Sequence, residues 1–195
     1  MPVLKSEASR STCRGTPLGA GALILLCLAG RGLAQDAPDT LPEYVIKAGF
    51  LFNFAKYVDW PASAFPQADS PIQIGIVGKD PFGADLEKTL KNKTVKNRTF
   101  TVVHFAEPGD IRSCHMLFVS KSEKGRLPEI LEQAGRWPVL TVGEDPDFAR
   151  SGGATTILIE QEKPRLEVNP EAAEKAGLTI SAKLLKAATI VKTGK

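Results

Sequence analysis

Cysteine is scarce in this chain, with three among 195 residues: Cys13, Cys27 and Cys114. The first two fall in an N-terminal stretch that reads as a removable leader, so Cys114 stands alone in the remainder. A single thiol excludes an intrachain disulfide and a cysteine-built zinc site, and no metal ligand set is expected. Apolar packing must then supply the stability. Histidine is nearly as sparse, with two, His104 and His115. The apolar run at residues 18–29 is too short for a bilayer core of ~30 Å at about 1.5 Å per helical residue. A surplus of charge is missing too. The whole chain carries 25 Lys plus Arg against 22 Asp plus Glu. Residues 1–34 hold four of the bases (Lys5, Arg10, Arg14, Arg31) and one acid (Glu7), and the rest balances to zero. That removes any global pull toward nucleic acid or an anionic membrane surface.

What is present begins with the leader itself. Lys5, Arg10 and Arg14 form a positive start, residues 18–29 an apolar middle, and Gly32-Leu33-Ala34 a small-residue exit. This pattern predicts a signal peptide over residues 1–34, cleaved near Ala34-Gln35, and export to the periplasm. Leu26 before Cys27 does not suit a lipoprotein. Residues 35–42 read as a linker, 43–191 as one domain and 192–195 as a tail.

Thr40-Leu41-Pro42-Glu43 fits a capping box, with Thr40 as N-cap and Glu43 reaching back. The helix after it should run to about Val58 and stop before Trp60-Pro61. Gly49, Asn53 and Lys56 make one narrow polar stripe on it, and aromatic and aliphatic residues fill nearly everything else. So greasy a helix is either sandwiched or shared with a partner. Strands are expected at 72–77, 99–105, 115–120 and 139–142, with 155–160 and 165–169 pairing as a hairpin across a charged turn at 161–164. Helices are expected from an Asp80 cap to about Leu90, at 127–134, from Pro170 to about Ala176, and at 183–188. The fold class is therefore α/β: a single layered domain whose mixed sheet has about five to six strands, flanked by helices and ending in an antiparallel hairpin.

Candidate chemistry is thin. Cys114 and His115 invite a thiol-nucleophile reading, but neighbours on a strand point to opposite faces. Residues 75–80 sit between a strand and a helix, the right place for a phosphate loop, without the spacing of one. Lys79 and Asp80 remain a small-anion candidate at a helix start. The sequons at Asn92 and Asn97 are chance matches in a bacterial setting. The loop at 145–153 is the most specified: Asp145-Pro146 starts a turn, Phe148 is a large apolar residue among charges, and Gly152-Gly153 frees the backbone. Phe148 either caps the core or, beside Arg150, anchors a partner. Arg165 and Glu167 share one face at period two, as a solvated pair or a contact.

Several segments together resemble the YfiR family of periplasmic proteins: EYVIKAGFLFNFAKYVDWP at 43–61, GKDPFG at 78–83, CHMLFVS at 114–120, PVLTV at 138–142, FARxGG at 148–153, RLEVN at 165–169 and GLxISAKLL at 177–185. The resemblance implies a regulator without catalytic residues or cofactor. It would bind and repress the sensory region of an inner-membrane diguanylate cyclase, lowering cyclic di-GMP and biofilm output. An OmpA-like outer-membrane lipoprotein would sequester it, and it would form a homodimer. Phe148, Arg150, Arg165, Glu167 and Asn169 are the expected contacts. Better-known members carry paired cysteines; with Cys114 alone, only an intermolecular disulfide or thiol modification is left as a redox response. The reading from another class is a periplasmic binding module for a small molecule or cell-wall fragment, centred on Lys79 and Asp80.

Overall fold

The structure, a computed structural model, describes residues 42–105 and 108–194. The leader, its cleavage point, most of the linker and the Thr40 cap lie outside the described residues. Helix α1 (Glu43–Tyr57) starts after Pro42, with no side chain capping it. Glu43 reaches one turn forward to the Lys47 ammonium. The stripe Ala48, Leu51, Phe54 and Ala55 is buried at helical spacing, while Asn53 and Lys56 are exposed, as the polar stripe predicted. The greasiness resolves as sandwiching. One side lies on the sheet, and Tyr44, Phe50, Phe52 and Tyr57 pack partly against neighbouring elements.

The helix ends in a two-residue strand, β1 (Val58–Asp59). β2 (Ile72–Val77) follows, then α2 (Ala84–Leu90), β3 (Phe100–Phe105), β4 (Met116–Val119), α3 (Leu127–Ala134) and β5 (Leu140–Gly143). The hairpin is β6 (Thr155–Glu160) and β7 (Lys163–Val168), and α4 (Pro170–Lys175), β8 (Thr179–Ile180), α5 (Ala182–Lys186) and β9 (Thr189–Ile190) complete the chain. The main sheet has seven strands in the order β3-β2-β4-β5-β6-β7-β9. It is parallel from β3 to β6. β7 then runs antiparallel to β6, and β9 runs parallel to β7. A second sheet joins β1 to β8, antiparallel, and the Ser181 amide donates to the Tyr57 carbonyl at 2.8 Å.

Strand alternation splits the core in two. Ile74, Ile76, Met116 and Phe118 face α1 and α2, while Val77, Leu117 and Val119 face α3. Each such buried side chain contributes about 1.5–3 kcal/mol. Two expectations need correction. Asp80 does not cap α2: the helix begins only after Gly83, and the Asp80 carboxylate instead accepts the Phe82 amide at 2.8 Å. The hairpin turn is Gln161-Glu162 alone, both left-handed at φ 50° and 63°, so Lys163 and Pro164 belong to the strand. Pro164 pairs with Ile159 near the tip, beyond the reach of β9, where its missing amide costs no ladder bond.

Candidate functional site

The loop after β5 is held from every side. The Phe148 amide donates to the Asp145 carbonyl (3.0 Å) and the Asp147 amide to the Asp145 carboxylate (3.1 Å). Lys124 pairs with Asp145 at 2.9 Å. Burial alone would raise the Asp145 carboxyl, but Lys124 and the Asp147 amide overcome it and hold the group below its ordinary value. Phe148 is 1% exposed. Its ring fills the space over Gly143 and Gly153: a Cβ at either glycine would lie 2.2 Å from a ring carbon. Phe148 is thus a core residue of the α3 side. Asn169 is also fully buried. It caps α4 by accepting the Ala172 amide, and its amide group donates to the Ala149 carbonyl (2.9 Å) and the Thr193 hydroxyl (3.0 Å).

The other three expected residues meet in one cluster. Glu167 lies on β7, opposite Thr156 of β6 and Thr189 of β9, with no exposed surface. A carboxylate buried this deeply must be paired. Arg150 donates to it through both terminal nitrogens, at 3.1 and 3.2 Å. Arg165 adds a third bond at 2.7 Å and reaches Glu160 at 3.1 Å. Arg150 also donates to the Pro146 carbonyl at 3.2 Å, which ties the loop to the hairpin. The two arginine side chains remain 45% and 43% exposed. The result is a pair of guanidiniums locked side by side on one buried carboxylate, with their outer edges in solvent. Such a fixed donor array suits a carboxylate or a row of carbonyls on another macromolecule. Glu167 is accordingly not a solvated partner of Arg165; it is the buried anchor of both arginines.

Lys79 and Asp80 are placed differently. They follow β2, beside the point where the strand order reverses between β2 and β4, where open α/β sheets take ligands. Here Ser122 and Glu123 lie against the turn. The Lys79 amide donates to the Ser122 hydroxyl at 2.9 Å. Gly78, at φ 87°, lies so close beneath Ser122 and Glu123 that a Cβ would fall 2.4 Å from the Ser122 oxygen. The Asp80 carboxylate faces His104 at 3.1 Å.

Cys114 is buried just ahead of β4, and burial pushes its thiol up to about 12, the wrong direction for a nucleophile. His115 is buried against a stacked Phe65 ring at 4.3 Å. Its Nδ1 accepts the Gln73 amide at 3.0 Å, which leaves Nε2 to carry the proton and donate to the Ala64 carbonyl at 3.1 Å. Burial, helped by Arg98, outweighs the opposing Ala64 bond and holds its pKa below the ordinary value. Both residues are engaged in structure.

Sequence reasoning missed one constellation. Lys47 and Glu144 are 1% and 2% exposed and 2.6 Å apart. Glu144 also accepts the Tyr44 hydroxyl at 3.2 Å and the Lys121 amide at 3.1 Å. Tyr44 is pushed up to about 12 by burial and then by Glu144. The signal was available: Lys47 falls on the same helical stripe as Tyr44, Ala48 and Leu51, and a lysine in a core stripe demands a buried acid.

No curated protein matches the chain. Among solved structures it is similar to a conserved domain protein from Vibrio cholerae O1 biovar El Tor, at 14% identity and a TM-score of 0.51, over 78% of this chain and 61% of that one. It is also similar to a substrate-binding protein with adhesive properties from Clostridium difficile, in its ligand-free open form (11% identity, TM-score 0.48, 77% and 60% covered). A third is the ABC domain in complex with L-Trp from Streptococcus pneumoniae (14% identity, TM-score 0.44, 61% and 55% covered). The chain spans about three fifths of the length of the solved proteins it matches. The first likeness shows the α/β fold. Among the described residues no helix is long and apolar enough to cross a membrane. Residues 44–189 match the family model described as YfiR/HmsC-like, and the protein belongs to that family.

Proposed function

We propose that this protein is a periplasmic regulator of cyclic di-GMP signalling that docks the periplasmic region of an inner-membrane diguanylate cyclase and holds it inactive. Family membership supports the regulatory setting. The observation that carries the docking reading is the Arg150–Glu167–Arg165 cluster. Two half-exposed guanidiniums are immobilised on a fully buried carboxylate, so a partner meets donors whose ordering entropy is already spent. Phe148 and Asn169 act from beneath, fixing the loop and the strand end that carry the arginines.

A repressor of this kind needs differential affinity for one state of its target and no acid–base pair. In the same scheme an OmpA-like outer-membrane lipoprotein competes for the repressor, and the repressor acts as a homodimer. The test is a membrane pull-down with the processed protein and its Arg150→Ala/Arg165→Ala variant, read beside cyclic di-GMP in a deletion strain. Capture of a cyclase by the parent and not by the variant, with cyclic di-GMP and biofilm raised on deletion, is the expected result. Unchanged cyclic di-GMP and biofilm on deletion would sink the regulatory reading.

A further inference from the structure

β3 is an outermost strand of the main sheet, and among the described residues no strand pairs with its far side. The Ile72 amide donates to the Thr99 carbonyl at 2.8 Å, and Ile72 stands opposite Phe100 in register. Peptide groups alternate sides along a strand. Thr99, Thr101, Val103 and Phe105 therefore turn theirs toward β2, and Phe100, Val102 and His104 turn theirs outward. The edge so exposed reads Phe-Thr-Val-Val-His-Phe, β-branched and aromatic, without one Asp, Glu, Lys or Arg. Edge strands are ordinarily guarded by a charge or a proline within the strand itself. This one is not.

The charges stand one step away. Between the edge and α2 runs a groove of about 660 Å³, with Leu90, Phe100 and Val102 among its apolar lining and Lys88, Lys91 and Lys93 among its polar lining. Glu87 is the one acid in that lining. Lys93 is held over the Phe52 ring at 4.6 Å, and Lys88 touches Asp85 at 3.3 Å on the exposed side of α2. A strand laid along β3 would send every second side chain into this groove. The three lysines then select for acids. A second copy of this chain, paired edge to edge, would instead bring the lysines against their own image.

We propose that β3 is a docking edge for an extended acidic segment of another protein, which adds to the sheet as a further strand and places alternate Asp or Glu side chains against Lys88, Lys91 and Lys93. This surface is separate from the arginine cluster and does not rest on how that cluster is used. Main-chain bonds to Phe100, Val102 and His104 give the affinity, and the lysines give the choice of sequence.

The test uses a fluorescein-labelled peptide of about seven residues, a usual strand length, with glutamate alternating with valine and threonine, and a control with lysine for glutamate. Anisotropy should show binding of the acidic peptide alone. Val102→Pro removes the central outward amide and leaves the bonds to β2 in place. It should weaken binding at least about tenfold, as should Lys88→Glu/Lys91→Glu, which should also turn preference toward the lysine peptide. Thermal melts of both variants check the fold, and the charge-reversed pair carries the test if the proline variant melts early. Binding by neither peptide overturns the proposal. So does acidic binding that survives Val102→Pro and is displaced equally by inorganic phosphate or anionic vesicles, since lysines alone then hold an anion. A concentration-dependent dimer that Val102→Pro dissolves would assign the edge to a second copy, and that too overturns it.

Discussion

Among the described residues two carboxylates are buried, Glu144 and Glu167, and they are paired in opposite ways. Glu144 is sealed: its partners Lys47 and Tyr44 come from α1, and Lys47 is as inaccessible as Glu144 itself. Glu167 is equally buried, but its partners are arginines with nearly half of each side chain in solvent. The first arrangement ties a helix to the end of a strand and offers nothing outward. The second uses the buried charge as a foundation and presents what stands on it. Burial of an acid therefore says little about function until the exposure of its bases is known.

The comparison breaks most sharply at Lys47. Lys47→Met leaves Glu144 buried without its cation, and urea unfolding should show a loss of about 3–5 kcal/mol. The double variant Lys47→Met/Glu144→Gln, which still offers the Lys121 amide an acceptor, should recover most of it. A double variant no better than the single would mean that the pair is not the cause. Next is Gly143→Ala, at the residue between the two regions. Its new methyl would drive the Phe148 ring from its seat and cost about 1–3 kcal/mol; a full-stability variant would refute that packing.

Arg150→Ala should cost less, about 1–2 kcal/mol, because Arg165 still faces Glu167 and water hydrates the gap. About 1 M NaCl, with a screening length of ~3 Å, should shrink this loss and leave that of Lys47→Met nearly unchanged. Equal salt sensitivity at the two sites would erase the distinction between them. The smallest effect is at Tyr44. Its folded pKa of about 12 lies above the ordinary 10.0, so the folded state keeps a proton that the unfolded state gives up. That stabilisation is whole below pH 10.0 and is lost as pH rises toward 12. Tyr44→Phe should cost about 1 kcal/mol at neutral pH and flatten that part of the alkaline slope. An unchanged slope would place its origin elsewhere, with the Cys114 thiol the other group pushed up to about 12.

The legibility of the fold followed the physical signals. β2, β6 and α3 were readable to the residue because runs such as Ile-Gln-Ile-Gly-Ile-Val and the apolar spacing of Leu127, Ile130 and Ala134 belong to one period each. The strands β1, β8 and β9 have two residues apiece, too few to show any period. The Gln161-Glu162 turn takes left-handed angles that a charged pair does not advertise, where Asn-Gly would have. At the candidate site, Arg150, Arg165 and Glu167 could be chosen from the sequence, but which of them is buried could not: Glu167 looks like any strand glutamate until β9 covers its far side. For Phe148 the sequence left two readings open, since the glycines that receive its ring lie on either side of it in sequence and nothing in their spacing shows that the ring turns inward.

The small sheet that joins β1 to β8 has a consequence for how the chain is made. It stitches the end of the first helix to residues near the C-terminus, and Leu178 and Leu184 belong to the same apolar cluster as Leu51 and Phe54. A nascent chain emerging N-terminus first carries that helix uncovered until residues 178–184 have been made. The stickiest segment must wait, so a chain truncated before Leu178 should be captured by chaperones through residues 43–57, and a chain that includes residues 178–184 should release them.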